Sequence, residues 1–261
     1  MTSHTENRDC MEAMREFPDG YFDLAVVDPP YGDALADESA GGGGTGLEGG
    51  STSTKRLRFH GGSKNPNDPW NKYLRPLTQQ LPQERERERS SPDGRDMGGE
   101  VRKKIIAWDT APGKEYFDEL FRVSRNQIIW GGNYFPLPPT RCFLVWRKLT
   151  ISESFSMAMA EYAWTSFNSN AKVYEHAPQD STRFHPTQKP VDLYRWIYGL
   201  YAKPGDKILD THLGSGSSRI AAWDAGLDFW GYEIDQEYFR REEERFQRHA
   251  AQMNLFLGGD E

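Results

Sequence analysis

Short hydrophobic runs alternate with helical patterns over most of this chain. An apolar run at residues 22–27, with Asp23 as its one charged position, ends at a Pro-Pro turn, which is typical of a buried parallel strand. Further strands are predicted at residues 127–130, 142–146, 207–210 and 229–233. Helical spacing predicts helices at residues 116–123, 190–201, 217–225 and 236–253. This alternation predicts an α/β fold, with a mostly parallel sheet and helices on both of its faces.

The pattern disappears between residues 33 and 104. Glycine runs and a Ser-Thr repeat at residues 41–54 are typical of a flexible linker. Residues 84–89 alternate Glu and Arg, which is the pattern of neither a buried helix face nor a strand. We therefore predict a long inserted loop at residues 33–104, which interrupts one domain formed by residues 1–32 and 105–261.

Charge changes the interpretation of this insertion. The chain of 261 residues carries a formal net charge of −7, which argues against a general nucleic-acid binder. Residues 55–104 nevertheless contain 13 Lys and Arg against 7 Asp and Glu. A basic segment on an acidic body is what a local DNA contact would look like, and a solvated linker of mixed charge is an equally good interpretation.

Cysteine content and the length of the apolar runs indicate where the protein is expected to be located. Cys10 and Cys142 are far apart and form no Cys-x-x-Cys pair, so neither a structural metal site nor a disulfide framework is expected. A reducing cytoplasm is then the expected location. No apolar run approaches the ~18 residues of a membrane helix, and no signal-peptide pattern is visible at the start, so we expect no membrane association.

The sharpest motif, Asp28-Pro29-Pro30-Tyr31, follows the first apolar strand. The two prolines fix φ and keep the preceding residues extended, so this turn is rigid. The Asp28 carboxylate and the Pro29 carbonyl could together accept both N–H groups of a planar amine. The Tyr31 ring offers a face on which a base can stack, worth about 1–3 kcal/mol. A strand-ending turn with an incidental tyrosine is the structural alternative.

A glycine turn, Gly214-Ser215-Gly216, lies between the strand that ends at Asp210 and the next helix. Glycine there permits the close backbone approach that a nucleotide-type cofactor needs. The third glycine of the dinucleotide fingerprint is missing, which argues against NAD. Glu233 ends the following strand, where its carboxylate could accept both hydroxyls of a ribose. An ordinary strand-to-helix turn is the alternative.

These motifs and their order resemble the DNA amino-methyltransferases that use S-adenosylmethionine (SAM). The order, with the catalytic motif first, resembles their beta class. The resemblance implies a Rossmann-like SAM methyltransferase sheet, permuted so that the catalytic half precedes the cofactor half. It implies no metal. The catalytic residues it implies are Asp28, Pro29, Pro30 and Tyr31, and the SAM-binding residues are Asp210, Gly214, Ser215, Gly216 and Glu233.

Two further segments extend the resemblance. Residues 184–190, Phe-His-Pro-Thr-Gln-Lys-Pro, resemble the segment that packs beside the methionine part of SAM. This implies that Lys189 or the adjacent backbone faces the SAM carboxylate, the alternative being a solvated lysine in a turn. Asp9 and Cys10 resemble the segment that touches the SAM adenine, although Asp9 fits a helix N-cap equally well. Thr211-His212 depart from the family, which usually has Pro-Phe there, so the floor under the cofactor is undefined.

The resemblance implies a site-specific DNA methyltransferase that flips an adenine out of the duplex and methylates its N6 directly. Aspartate at the first motif position resembles the adenine enzymes, and N4-cytosine is the nearest alternative. Methylation of RNA or of a protein glutamine, and a catalytically silent DNA-binding subunit, are further alternatives. DNA is the implied partner, restriction–modification is the implied context, and a homodimer is one possible assembly.

The basic insertion generates the first test. Replacing the four residues Arg56, Arg58, Lys64 and Lys72 by alanine should weaken DNA binding. It should also reduce the salt dependence, by about one unit of slope for each lost phosphate contact. Fluorescence anisotropy over a range of salt concentrations measures both quantities, while the affinity for SAM should not change. An unchanged salt slope would make the segment a spacer.

Overall fold

The computed structural model describes residues 1–32, 110–152, 158–178 and 183–257. The predicted insertion at residues 33–104, with its basic segment, lies outside the described residues. The strands are β1 (Ser3–Asn7), β2 (Leu24–Val27), β3 (Gln127–Trp130), β4 (Phe143–Lys148), β5 (Ala160–Thr165), β6 (Lys172–His176), β7 (Lys207–Asp210) and β8 (Asp228–Glu233). The helices are α1 (Cys10–Met14), α2 (Lys114–Val123), α3 (Val191–Tyr201), α4 (Ser217–Asp224) and α5 (Gln236–Leu257), with a 3₁₀ turn at Gly132–Tyr134.

The strands form one sheet in the order β1-β8-β7-β2-β3-β5-β4-β6. The five strands from β1 to β3 are parallel to one another, and β5 introduces the antiparallel pairs with β3 and β4. The predicted α/β class with a mostly parallel sheet is therefore confirmed. Strands β7 and β8, which are late in the sequence, thus lie between β1 and β2, which are early in it.

Both faces of the central strands are buried, which explains their continuous apolar sequence. Leu24 and Val26 of β2 pack on one face of the sheet together with α3 and α4. Ala25 and Val27 pack on the opposite face together with α1 and α2. Helices thus cover both faces, as predicted. No helix among the described residues is both long enough and apolar enough to cross a membrane.

The hydrophobic pattern did not predict the two strands at the ends of the sheet. Strand β1, Ser-His-Thr-Glu-Asn, has no apolar residue and forms by parallel pairing with β8. The backbone N–H of Thr2 also donates to Oδ1 of Asp228, at 2.6 Å. Among the described strands, β6 pairs with β4 alone, and its Val173 is 62% exposed. An edge strand has one neighbour and often no buried face, so its sequence need not show the usual pattern.

Candidate active site

Four carboxylates follow one another along the carboxyl edge of the sheet. Asp9 lies just beyond β1, Glu233 ends β8, Asp210 ends β7, and Asp28 follows β2 directly. Because these strands are adjacent and parallel, their carboxyl ends lie side by side. In open α/β sheets this edge is where ligands bind. The fold therefore brings together residues that are up to 224 positions apart, from Asp9 to Glu233.

The Asp28 carboxylate is held through both of its oxygens. The hydroxyl of Tyr31 donates to Oδ1 at 2.8 Å. The ammonium of Lys189 donates to Oδ2 and forms an ion pair with it. Each oxygen keeps a second lone pair, so Asp28 can still accept a hydrogen bond from a ligand.

Lys189 is 4% exposed and does not lie in solvent. Its Nζ contacts Asp28, lies 3.1 Å from Oε2 of Glu161, and lies 5.3 Å from the centre of the Trp130 ring. Desolvation alone would lower the pKa of Lys189, but the charges of Asp28 and Glu161 outweigh it and raise that pKa. The ammonium thus faces the predicted catalytic carboxylate, and the expectation that Lys189 or the adjacent backbone faces the SAM carboxylate stays a prediction.

Tyr31 lies in an aromatic cluster beside the 3₁₀ turn. Its ring stacks on Tyr134 with centroids 4.8 Å apart, and it meets Phe135 edge to face with centroids 6.2 Å apart. Gly131 has φ +66°, and a Cβ there would lie 2.0 Å from the Tyr31 ring, so only glycine allows this contact. Tyr134 is 54% exposed. The outer ring available to a stacking ligand is therefore that of Tyr134.

Asp210 organises the turn that leads into α4. Its Oδ1 accepts a hydrogen bond from the backbone N–H of His212 at 3.1 Å, and its Oδ2 accepts one from the hydroxyl of Ser218. Burial raises the pKa of Asp210 to about 7, against these hydrogen bonds. Ser215 is buried in the same turn, and its carbonyl accepts a hydrogen bond from Arg245 at 2.8 Å.

Glu233 fixes the other side of the glycine turn. Its Oε2 accepts a hydrogen bond from the backbone N–H of Gly214 at 2.9 Å, and its Oε1 accepts one from the backbone N–H of Asp235 at 2.9 Å. Burial raises the pKa of Glu233. Both oxygens keep a free lone pair, which is the arrangement that two neighbouring hydroxyls of a ligand would require.

Gly216 is required by the packing of α5. It has φ +71°, and a Cβ there would lie 2.6 Å from Oε2 of Glu242 and 3.2 Å from its Cβ. The structure places Glu242 against this glycine, and the expected close approach of a cofactor to its backbone stays a prediction. Gly214 has φ +53°, and a Cβ there would lie 3.5 Å from the nearest atom of the His185 ring.

Asp9 caps α1, which is the structural alternative foreseen for it. Its Oδ1 accepts hydrogen bonds from the backbone N–H groups of Met11 at 2.7 Å and Glu12 at 3.2 Å. Burial, with the charge of Asp9, raises the pKa of the Cys10 thiol to about 12. That thiol is therefore not a nucleophile at neutral pH, and Cys10 remains a predicted contact only.

The unusual pair Thr211-His212 packs against α2. The hydroxyls of Thr211 and Tyr116 are 2.6 Å apart, and the rings of Tyr116 and His212 meet edge to face at 5.5 Å. Burial lowers the pKa of His212 to about 4, so its imidazole is neutral at pH 7. Thr211 and His212 are thus part of a hydrogen-bonded aromatic layer, and its position under a cofactor stays a prediction.

Three residues of this region escaped the sequence analysis: Glu161, Lys148 and Tyr134. The lysine and glutamate lie on β4 and β5, where charged residues normally face solvent, and the antiparallel pairing of these strands brings them together. Tyr134 lies in the Gly-Gly-Asn-Tyr turn after β3. Its ring is exposed, which becomes visible only in the structure. Within the described ranges, no three His, Cys, Asp or Glu side chains are arranged to hold a metal ion.

A family model described as DNA methylase matches residues 62–244, which is more than half of the chain. The chain belongs to the DNA methylase family. Its members methylate amino groups at N6 of adenine or N4 of cytosine. The range that the family model matches contains Lys189, Asp210 and Glu233. It begins after Tyr31, so the Asp28 motif lies outside it.

Individual relatives resemble this DNA methylase over shorter stretches. The type II methyltransferase M2.DpnII of Streptococcus pneumoniae is 41% identical over 56 residues, which cover 22% of this chain and 21% of that protein. YubD of Escherichia coli (strain K12), which carries the name of a methylase, is 35% identical over 63 residues, or 24% of this chain and 28% of YubD. The matches thus span less than a third of either relative.

The fold of this DNA methylase is also found among solved structures. The PvuII DNA methyltransferase, described as cytosine-N4-specific, superposes with a TM-score of 0.51 and is 11% identical in sequence. The superposition covers 100% of this chain and 95% of that one. At this identity the likeness confirms the Rossmann-like methyltransferase fold and nothing finer.

The packing of Gly216 gives a prediction about stability. Gly216→Ala should destabilise the protein by more than Gly205→Ala. Both glycines have positive φ, 71° and 86°, and each alanine should cost about 1–2 kcal/mol for that conformation. Only the methyl group at position 216 would also clash with Glu242, since nothing lies within 4 Å of a Cβ at 205. Urea unfolding measures the difference, and equal losses in the two variants would contradict the packing.

Proposed function

We propose that this chain is a SAM-dependent DNA methyltransferase that transfers a methyl group to N6 of a flipped adenine. The observation that carries the proposal is the row of carboxylates that ends at the Asp28 motif on the carboxyl edge of the sheet. At one end of this row, Glu233 and the glycine turn suit a nucleoside. At the other end, Asp28 and two stacked tyrosines suit a planar amine.

The residues at the first end fit SAM. Glu233 has one free lone pair on each oxygen, which suits the two ribose hydroxyls. Gly214 has no side chain, so its backbone is open to close approach by a ligand beside the His185 ring. The surrounding carboxylates favour a cationic ligand, and SAM is a sulfonium cation. When bound, it supplies an electrophilic methyl group.

At the second end, Asp28 and the Pro29 carbonyl would accept the N–H groups of the target amine. An aromatic amine is a weak nucleophile because its lone pair is delocalised into the ring. Hydrogen bonds to both N–H groups favour a geometry in which that lone pair is directed at the methyl group. Since Tyr31 and Lys189 fix the orientation of the Asp28 carboxylate, the acceptor is preorganised.

A base removed from the duplex needs a surface on which to stack. Tyr31 already has Tyr134 against one face and the Gly131 backbone beside it. We therefore assign the outer stacking surface to Tyr134, with Tyr31 beneath it or exposed when Tyr134 turns away. A stacking contact of about 1–3 kcal/mol would offset part of the few kcal/mol that base flipping costs.

SAM binding is the first test of the proposed function. Isothermal titration calorimetry of the pure protein with SAM should show binding without DNA, because the proposed cofactor residues need no base. Glu233→Ala should weaken the affinity by about tenfold or more, as expected for hydrogen bonds to a charged group. The control, Glu175→Ala, removes an exposed, ion-paired glutamate from β6 and should bind SAM normally. Equal affinity in both variants would remove Glu233 from the site.

Methyl transfer is the second test. Asp28→Asn should reduce transfer by about a hundredfold or more while the SAM affinity stays near that of the wild type, because Asp28 acts on the amine. Transfer of radiolabelled methyl groups from SAM to unmethylated genomic DNA measures the rate. The control, Asp118→Asn, changes an exposed aspartate on α2 and should be fully active.

The modified nucleosides decide which base is the target. Chromatography of the digested product should show N6-methyladenine. N4-methylcytosine would replace adenine by cytosine in the proposal and leave the site assignment intact. Substantial transfer by Asp28→Asn would instead overturn the proposed role of Asp28.

A further inference from the structure

Four charged side chains form a continuous chain that leads from the site into the sheet. Lys148 at the end of β4 lies 2.6 Å from Oε1 of Glu161, through its Nζ atom. Glu161 on β5 reaches Lys189 at 3.1 Å through Oε2, and Lys189 binds Oδ2 of Asp28. The charges alternate in sign and sum to zero, so the two buried ammonium groups are neutralised within the chain.

Stability alone is a poor explanation for this arrangement. The side chains of Lys189 and Lys148 are 3% and 8% exposed, and taking such charges out of water costs several kcal/mol per ion. Apolar residues of similar size are often as stable or more stable in such positions. The chain of charges ends on Asp28, which points to a role in the proposed action of Asp28 on the target amine.

We propose that Lys189 and Glu161 are positioning residues for methyl transfer, Lys189 by fixing Oδ2 of Asp28 and Glu161 by fixing Lys189. This inference rests on the proposed function. With Tyr31 on Oδ1 and Lys189 on Oδ2, the plane of the carboxylate is set before a substrate arrives. A displacement of about 1 Å at such a centre can cost a hundredfold in rate.

Glu161 also balances charge during the reaction. The amine nitrogen forms a bond to the methyl carbon, and the carbon–sulfur bond breaks with its electron pair remaining on sulfur. The nitrogen must then lose one proton, for which Asp28 is the nearest acceptor in the proposal. Once Asp28 is protonated, Glu161 at 3.1 Å is the one remaining carboxylate, among the described residues, that is ion-paired with the buried Lys189 ammonium.

The test compares Lys189→Met and Glu161→Gln with Glu175→Gln. The control replaces a glutamate that is ion-paired with Arg147 at 2.6 Å and lies on the exposed edge of the same sheet. With saturating SAM and unmethylated genomic DNA, single-turnover transfer should be about tenfold or more slower in both site variants and unchanged in the control. The SAM affinity by calorimetry should stay within about twofold of the wild type in all three.

A double variant separates positioning from independent effects. If Glu161 acts through Lys189, Glu161→Gln should cause no further loss of rate in the Lys189→Met background. Multiplicative losses would overturn the proposed order of action. Loss of SAM affinity in Lys189→Met would show that Lys189 binds the cofactor instead. Wild-type rates combined with a lowered melting temperature would show a purely structural role.

A measurement without turnover keeps this inference separate from the proposed function. A buried, ion-paired ammonium exchanges slowly, so the Lys189 side chain should give a ¹⁵N-edited NMR signal that Lys189→Met removes. Asp28→Asn and Glu161→Gln should each shift that signal, and Glu175→Gln should not. A signal that neither site variant shifts would overturn the positioning chain. A wild-type protein that transfers no methyl group would overturn the proposed function alone.

Discussion

The parallel pairing of β1, β8, β7 and β2 is the constraint on which the rest of the site depends. It places the ends of four strands, drawn from the first and last parts of the chain, at one edge of the sheet. Each strand contributes a carboxylate at or just beyond its end, so the acidic row follows from the topology. Without the β2–β7 pair, Asp28 would not lie beside the cofactor end that Asp210 and Glu233 form.

The central strands and the glycine turn could be predicted because their local sequences carry strong signals. The apolar run of β2 needs burial on both faces, and the proline pair that follows it has only one common use, a rigid turn. The same holds for β7 and its glycine turn, since the two glycines adopt φ of +53° and +71°. Local pattern and global position agree in these segments, which is where reasoning from sequence is strongest.

What escaped prediction depends on contacts between distant residues. The resemblance implied that Lys189 or the adjacent backbone faces a cofactor carboxylate, and nothing in residues 184–190 shows that Glu161 lies opposite Lys189. That partner comes from β5, which reaches Lys189 only after antiparallel pairing with β3 and β4. The packing of Gly216 also depends on a distant residue, because its neighbour Glu242 comes from α5. In both cases the motif was recognisable, whereas its physical cause required the fold.

At the proposed cofactor end of the site, the charges that would favour SAM binding lower the stability of the fold. Burial raises the pKa of Asp210 to about 7 and that of Glu242 to about 7. Because each folded-state pKa lies above the unfolded value, each group contributes stability that is fully present below about pH 4 and is lost as the pH rises through about 7. The same ionisation makes this edge of the sheet more negative, which favours a cationic methyl donor. Among the described residues, Oε1 of Glu242 forms an ion pair with Arg219 at 2.9 Å, whereas Oε2 has no hydrogen-bond partner. The acidic edge that suits the proposed cofactor therefore destabilises the fold at neutral pH, and the apolar packing on both faces of the sheet offsets that cost.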